Sequence, residues 1–184
     1  MTTSSGQLEV EIKIKLTGVS QIRDTLPELG FTIQEPRQLE RNILFDTPAL
    51  DLASGHRLLR LRRYGERNII TFKRPAGGLE DEKKYKVREE IESGFDHFEN
   101  MKTILLGLGY RTVWIYEKFR EIWSRDGVSV FLDETPIGDF MEIEGTKGDI
   151  DRLASGFGYT KEDYIAVNYR RLWVDAGKTG NMIF

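Results

Sequence analysis

The feature that most constrains the fold is a strict alternation of aliphatic and charged residues near the start of the chain. Between positions 8 and 16 the even positions are aliphatic, and the odd positions carry charge: Glu9, Glu11, Lys13 and Lys15. Because a β-strand directs successive side chains to opposite faces, this segment is predicted to be a strand with one apolar and one charged face. A single strand of this kind is usually half-buried, with its charged face in water.

The composition excludes several classes of protein. Of the 184 residues, 39% are hydrophobic and 31% are charged, which suits a soluble globular protein with a sizeable core. A net charge of −3 gives no general attraction to nucleic acid, and the chain lacks the run of about 18 apolar residues needed to span a membrane. Without cysteine there is no disulfide or thiolate chemistry. We expect a cytoplasmic protein with one domain over 1–184, in which 1–7 form a flexible tail without a signal core.

Turn signals and hydrophobic periodicity divide the chain into many strands and few helices. Strands are predicted at 8–16, 38–45, 57–64, 69–73, 86–92, 113–124, 128–133 and 140–144. Helices are predicted at 20–30, 96–108, 147–156 and 168–175, with a further helix start at 160–163, a short turn or helical bend at 51–55 and a mobile loop at 74–84. The three tryptophans are expected on the outer side of the sheet. This order predicts an α+β fold in which eight antiparallel strands close into a barrel.

Charged residues in the same alternating phase recur on six further predicted strands, two positions apart on four of them and singly on the other two. They supply Arg60 and Arg62, Lys73, Arg88 with Glu90 and Glu92, Lys118 and Arg120, Asp133, and Glu142 with Glu144, each opposite aliphatic or aromatic neighbours. One such face could point into water, but so regular a set favours a barrel whose charged faces line the lumen and whose apolar faces lie under helices. Buried charges require partners of opposite sign. Arginine and lysine suit a polyphosphate, and carboxylates suit Mg²⁺ or Mn²⁺.

These residues, in this order, resemble the signature of the CYTH superfamily, also called triphosphate tunnel metalloenzymes. Glu9-Val10-Glu11-Ile12-Lys13 fits its ExExK motif, and Arg60-Leu61-Arg62 fits its RxR strand. The remaining pieces are Lys73, Arg88-Glu89-Glu90-Ile91-Glu92, Lys118-Phe119-Arg120, and Leu132-Asp133 followed by Gly138-Asp139-Phe140-Met141-Glu142-Ile143-Glu144. The resemblance spans about residues 8–170 and implies an eight-stranded antiparallel tunnel.

The resemblance also implies a role for each lumen residue. Divalent metal would be bound by Glu9, Glu11, Glu142 and Glu144, together with Asp133. The triphosphate would be bound by Lys13, Arg60, Arg62, Lys73, Arg88, Lys118 and Arg120. Glu90 and Glu92 would either join the metal site or hold the arginines in place. The catalytic set is then Glu9, Glu11, Lys13, Glu142 and Glu144, with Mg²⁺ or Mn²⁺ as cofactor.

The family includes enzymes of different activity, and the signature residues do not separate them. Hydrolysis of a phosphoanhydride in tripolyphosphate or a nucleoside triphosphate ranks first. Conversion of ATP to cyclic AMP and pyrophosphate, as in class IV adenylyl cyclases, ranks close behind, and thiamine triphosphate hydrolysis ranks third. A non-enzymatic polyphosphate-binding module would not need the complete acidic set, which is present here. The expected partner is a small-molecule triphosphate, bound by a monomer or a homodimer.

Overall fold

Eight antiparallel strands form a closed barrel in the computed structural model, which describes residues 6–76 and 84–184. The strands are β1 (Gln7–Leu16), β2 (Thr32–Asp46), β3 (Leu58–Tyr64), β4 (Arg67–Pro75), β5 (Lys86–Phe95), β6 (Arg111–Arg125), β7 (Val128–Thr135) and β8 (Gly138–Glu144). Their order around the barrel is β1-β5-β4-β3-β2-β6-β7-β8, and β8 pairs with β1 to close the ring. The predicted fold class is therefore confirmed.

Helices and turns connect these strands. The helices are α1 (Ser20–Thr25), α2 (Asp51–Ser54), α3 (Phe98–Gly107), α4 (Lys147–Gly156) and α5 (Tyr169–Asp175), and a 3₁₀ turn covers Lys161–Asp163. The predicted capping box before α4 is present in part, because the Thr146 hydroxyl accepts a bond from the Asp149 amide. None of the helices in the described part of the chain is long and apolar enough to cross a bilayer.

Two elements differ from the sequence prediction for reasons of local backbone chemistry. The first helix ends at Thr25 rather than near Gly30, because Pro27 has no amide hydrogen to continue the helical ladder. Strand β2 begins at Thr32, six residues before the predicted position 38. Register shifts around Glu35 and Gln38, on either side of Pro36, break the two-residue period there. Because the prediction relied on that period, this half of the strand was missed.

The predicted flexible tail and mobile loop are only partly covered by the description. Gln7 already belongs to β1 and lies opposite Glu90. Arg74 and Pro75, predicted to be in the loop, belong to β4, and Arg74 Nε donates to Glu89 at 2.8 Å. Residues 1–5 and 77–83 lie outside the described residues.

The apolar faces of the strands point outward and are covered by helices. Beneath α1 and α4 lies a cluster that includes Ile12, Ile14, Val130, Ile143 and Ile150. A second cluster, beneath α2 and α3, includes Ile43, Leu59, Leu61, Phe98 and Leu105. Because each strand alternates, packing these residues on the outside directs their charged neighbours into the lumen. The barrel is inverted as predicted, with an apolar exterior and a charged interior.

A third apolar cluster closes part of the barrel and includes residues from the C-terminal segment. It contains Trp114 and Tyr116 of β6, Phe140 of β8, and Tyr169 and Met182. The expectation that all three tryptophans pack outside is wrong for Trp114, because it has the same strand phase as the inward-pointing Tyr116 and lines the central cavity. Trp123, on the opposite phase of β6, does pack in the first outer cluster.

Candidate active site

The lumen holds a cavity of about 740 Å³ lined mainly by charged side chains. Apart from Asp133, every residue that the sequence assigned to the site lines this cavity: Glu9, Glu11, Lys13, Arg60, Arg62, Lys73, Arg88, Glu90, Glu92, Lys118, Arg120, Glu142 and Glu144. They come from β1, β3, β4, β5, β6 and β8. The register explains the gathering, since Glu9 lies opposite Arg88, Lys13 opposite Glu142 and Glu11 opposite Glu144 on paired strands.

One wall of the cavity is cationic and is organised by a buried carboxylate that the sequence analysis missed. Glu40 of β2 is fully buried between Arg62 of β3 and Lys118 of β6. Its two oxygens lie 3.5 Å from Arg62 Nε and 3.6 Å from Lys118 Nζ, and Asn42 donates to it at 2.9 Å. Burial alone would raise the pKa of Glu40, but Arg62 and Lys118 outweigh it and hold that pKa well below its usual range. Glu40 is therefore an ionised counter-ion behind the cationic wall.

Asp133 of β7 lies behind the same wall and is completely buried. Its oxygens accept bonds from Lys118 Nζ at 2.8 Å and from the Nε and a terminal nitrogen of Arg120, both at 2.6 Å. The Tyr169 hydroxyl donates a fourth bond at 2.6 Å. Both oxygens are thus engaged by cations that face the cavity, so the geometry is that of a residue that orients Lys118 and Arg120.

Glu142 of β8 connects the cationic wall to β1. It accepts hydrogen bonds from Lys13 Nζ and from Arg120. Burial would raise the pKa of Glu142, but Lys13 and Arg120 hold it well below its usual range.

The two β5 carboxylates of the cavity lie beside an arginine. Arg60 lies 3.6 Å from Glu90 and 3.4 Å from Glu92, so both are within ion-pair distance of it.

The opposite wall is rich in carboxylates and is only partly neutralised. Lys73 donates to both oxygens of Glu9 at 2.8 and 2.7 Å and lies 3.0 Å from Glu90. Lys86 pairs with Glu11. Glu144 lies opposite Glu11 on the neighbouring strand, and no lysine or arginine in residues 6–76 or 84–184 forms a salt bridge with it.

This crowding of carboxylates changes their protonation. Burial, reinforced by the negative charge of Glu11, raises the pKa of Glu9 to about 8 and that of Glu144 to about 7. Glu11 behaves differently: burial would raise its pKa, but the Lys86 ammonium holds it well below its usual range. The wall therefore has a deficit of positive charge that Lys73 and Lys86 do not remove.

The carboxylates of the acidic wall suit a divalent cation by their chemistry, although they are not grouped around a single point. Within the described residues, no three carboxylate or imidazole side chains lie close enough together to hold a metal ion. Glu9 and Glu11 are held instead by Lys73 and Lys86, while Glu144 is left without an ion pair in that part of the chain. Hard divalent cations prefer such carboxylate oxygens, and a positive charge here would relieve the repulsion among them.

Four residues of the site were not assigned from the sequence, although three of them carried a detectable signal. Glu40 and Asn42 alternate with Leu39, Arg41 and Ile43, and Lys86 is in phase with Arg88. The period-two pattern would have placed all three in the lumen. Tyr169 gave no such signal, because it comes from a helix that reaches the lumen only through tertiary packing.

The closed barrel with its opposed cationic and acidic walls defines a tunnel-type β-barrel protein. The chain belongs to the CYTH domain family, whose family model matches residues 7–165. A candidate adenylate cyclase of Methanocaldococcus jannaschii is 30% identical over 145 residues, which cover 78% of this chain and 80% of that protein.

Solved structures share the fold. A candidate adenylate cyclase of Vibrio parahaemolyticus superposes with a TM-score of 0.82 at 18% identity, covering 92% of this chain and 99% of that one. A Hippeastrum protein, described as a candidate adenylyl cyclase with a dominant triphosphatase activity, superposes with a TM-score of 0.60 at 21% identity. The superposition covers 93% of this chain and 97% of the Hippeastrum chain. At these identities the likeness shows the fold.

Proposed function

We propose that this chain is a divalent-metal-dependent enzyme that hydrolyses a phosphoanhydride bond of a triphosphate in the barrel cavity. The observation that carries the proposal is the opposition of two walls across one cavity. Arg60, Arg62, Lys118 and Arg120 form the cationic wall, and Glu9, Glu11 and Glu144 form the acidic one. A chain of phosphates has oxygens for the first wall, and a metal bound to those phosphates has vacant positions for the second.

The cationic wall is built to neutralise and orient phosphate oxygens. Asp133, Glu40 and Glu142 hold Lys118 and Arg120 in place without occupying all of their hydrogen-bond donors. In addition, the Nε of Arg60 is buried and has no hydrogen-bond partner among the described residues. Phosphoryl transfer depends on positioning and charge stabilisation more than on covalent help, so a fixed set of cations is the contribution expected of this wall.

The acidic wall would hold Mg²⁺ or Mn²⁺ through Glu9, Glu11 and Glu144, and such a metal supplies charge neutralisation and an activated water. For Glu9 and Glu11 to reach a metal, Lys73 and Lys86 must release them. Phosphate oxygens are suitable new partners for both ammonium groups. Lys13 donates a hydrogen bond to Glu142 between the two walls and is placed to contact the same phosphates. A cytoplasmic location, where such triphosphates and Mg²⁺ are abundant, belongs to this proposal.

The second candidate is cyclisation of ATP to cyclic AMP and pyrophosphate. Two observations favour it: the relative from Methanocaldococcus jannaschii is named for this activity, and part of the cavity is lined by apolar and aromatic side chains. Trp114 and Tyr116 stack with their centroids 4.9 Å apart at that end, where a ring system could pack. The rings of thiamine triphosphate could pack on the same aromatic surface, so hydrolysis of thiamine triphosphate is the third candidate activity.

A substrate panel tests the proposal. Tripolyphosphate, ATP and thiamine triphosphate are each incubated with Mg²⁺ or Mn²⁺, and released phosphate and cyclic AMP are both measured. We expect phosphate release by the wild type and a loss of about 100-fold or more in Glu144→Gln. Glu89→Gln, which removes an outward carboxylate on β5, is the matched control and should retain activity. Absence of turnover of all three substrates would overturn the enzymatic proposal in favour of a polyphosphate-binding module.

A further inference from the structure

The C-terminal segment of the chain is fixed to the barrel on both sides of the cavity. Ile165 exchanges two backbone hydrogen bonds with Lys13 of β1, at 2.8 and 3.1 Å. Further along, Met182 donates to Ile115 of β6 at 3.0 Å and accepts from the Glu117 amide at 2.7 Å. Between these attachments lies α5, which begins after the family match ends at residue 165 and brings Tyr169 to the cavity.

Tyr169 contacts both the cations and their counter-ion. Its ring lies 4.4 Å from Lys13 Nζ and 4.9 Å from Lys118 Nζ, measured to the ring centroid. Its hydroxyl donates to Asp133 at 2.6 Å, on the oxygen that also accepts from Lys118. Burial and the charge of Asp133 raise the pKa of Tyr169 well above its usual value, so the hydroxyl remains a donor.

The ring itself has little freedom to move. It is buried, packs edge-on against Phe140 with centroids 5.5 Å apart, and lies 6.4 Å from the Tyr116 ring. The Asn168 side chain caps the start of α5 by accepting from the Arg171 amide, which fixes the helix from which Tyr169 projects. A rigid aromatic ring attracts both ammonium groups and so restricts where they can lie.

We propose that Tyr169 is a positioning residue that holds Lys13 and Lys118 in place for the triphosphate, through its ring directly and through its hydroxyl by way of Asp133. This inference rests on the proposed function, because it assigns Lys13 and Lys118 to phosphate oxygens. Phenylalanine would be enough to fill the apolar cluster, whereas Tyr169 adds a hydroxyl bond to Asp133 and lies against two ammonium groups. The role also gives the C-terminal segment a part in the site.

Two substitutions separate the contributions of the ring and the hydroxyl. Tyr169→Phe keeps the ring and removes the bond to Asp133, and we expect it to weaken binding of inorganic tripolyphosphate by about 5-fold. Tyr169→Leu also removes the aromatic face, and we expect a loss of about 50-fold. The matched control is Tyr164→Phe. It also removes a hydroxyl bond to an aspartate, because the Tyr164 hydroxyl donates to Asp151 of α4 at 3.1 Å, but Tyr164 does not line the cavity.

Binding is measured by calorimetry without divalent metal, and thermal unfolding is followed on the same samples. The inference is supported if Tyr169→Phe binds more weakly than Tyr164→Phe at equal stability. It is overturned if the wild type binds tripolyphosphate and both Tyr169 variants bind it as tightly as the wild type does, whether or not their melting temperatures fall. If the wild type binds neither tripolyphosphate nor ATP, with or without Mn²⁺, the proposed function falls first and the inference falls with it. Should Tyr169→Leu fail to fold, Tyr169→Phe still decides.

Discussion

Replacing Lys86 with methionine would expose the charge imbalance of the acidic wall. The side chains of Lys86 and Glu11 are only 20% and 12% exposed, and burial of Lys86 is outweighed by Glu11 and Glu9, which hold its pKa above its usual value. Methionine keeps an unbranched side chain that is one heavy atom shorter, and it removes the ammonium group. Glu11 would then lie uncompensated beside Glu9 and Glu144.

The expected cost follows from the burial of the pair. Removing one partner of a buried ion pair costs about 3–5 kcal/mol, and the residual exposure of Lys86 places this case near the lower figure. About 3 kcal/mol corresponds to a fall of roughly 6–12 °C in the melting temperature of a domain of this size. The matched control is Lys84→Met, because Lys84 pairs with Glu162 at 3.3 Å with side chains 37% and 86% exposed. An exposed pair contributes about 1 kcal/mol or less.

Thermal unfolding of both variants, with and without Mn²⁺, is the assay. In the wild type a metal must displace Lys86 from Glu11, whereas in Lys86→Met that carboxylate is already available. We therefore expect Mn²⁺ to raise the melting temperature of Lys86→Met more than that of the wild type, by binding only the folded state. The reasoning is refuted if Lys86→Met and Lys84→Met melt together in chelator, or if Mn²⁺ stabilises Lys86→Met no more than the wild type.

Three further predictions address other parts of the molecule. Asp133→Asn should lose about 3 kcal/mol of stability and bind metal-free tripolyphosphate more weakly, while Mn²⁺ binding measured by electron paramagnetic resonance is unchanged; selective loss of Mn²⁺ binding would instead assign Asp133 to the metal. Because the pKa of Glu144 is raised to about 7 from 4.5, the folded state binds the extra proton, so its contribution to stability falls as the pH rises from about 4.5 to 7. In chelator, the free energy of unfolding of the wild type, relative to that of Glu144→Gln, should therefore fall by about 3 kcal/mol as the pH rises across that range. A difference that does not change with pH in denaturant titrations would contradict this prediction. Thr146→Ala removes the acceptor for the Asp149 amide at 3.2 Å and should cost about 1 kcal/mol in the same titrations, with no change in tripolyphosphate binding.

Much of the tunnel could be predicted from the sequence because strand alternation is a local property. The two-residue period directs Glu9, Glu11 and Lys13 to one face whatever their neighbours are, and the same holds for Arg60 with Arg62. Where the period was interrupted, at Pro36 in β2 and at Pro27 after α1, the predicted boundaries were wrong. Both errors arose where proline removes a backbone donor.

The sequence by itself determined which strand side chains enter the lumen, and the tertiary structure decided which of them meet. Strand pairing sets Glu11 against Lys86 and Glu144, and the pairing of β7 with β6 sets Asp133 against Arg120 and within reach of Lys118. The contribution of Tyr169 depends on a C-terminal helix 36 residues beyond Asp133. Such contacts arise from register and packing between distant segments, which no local period encodes.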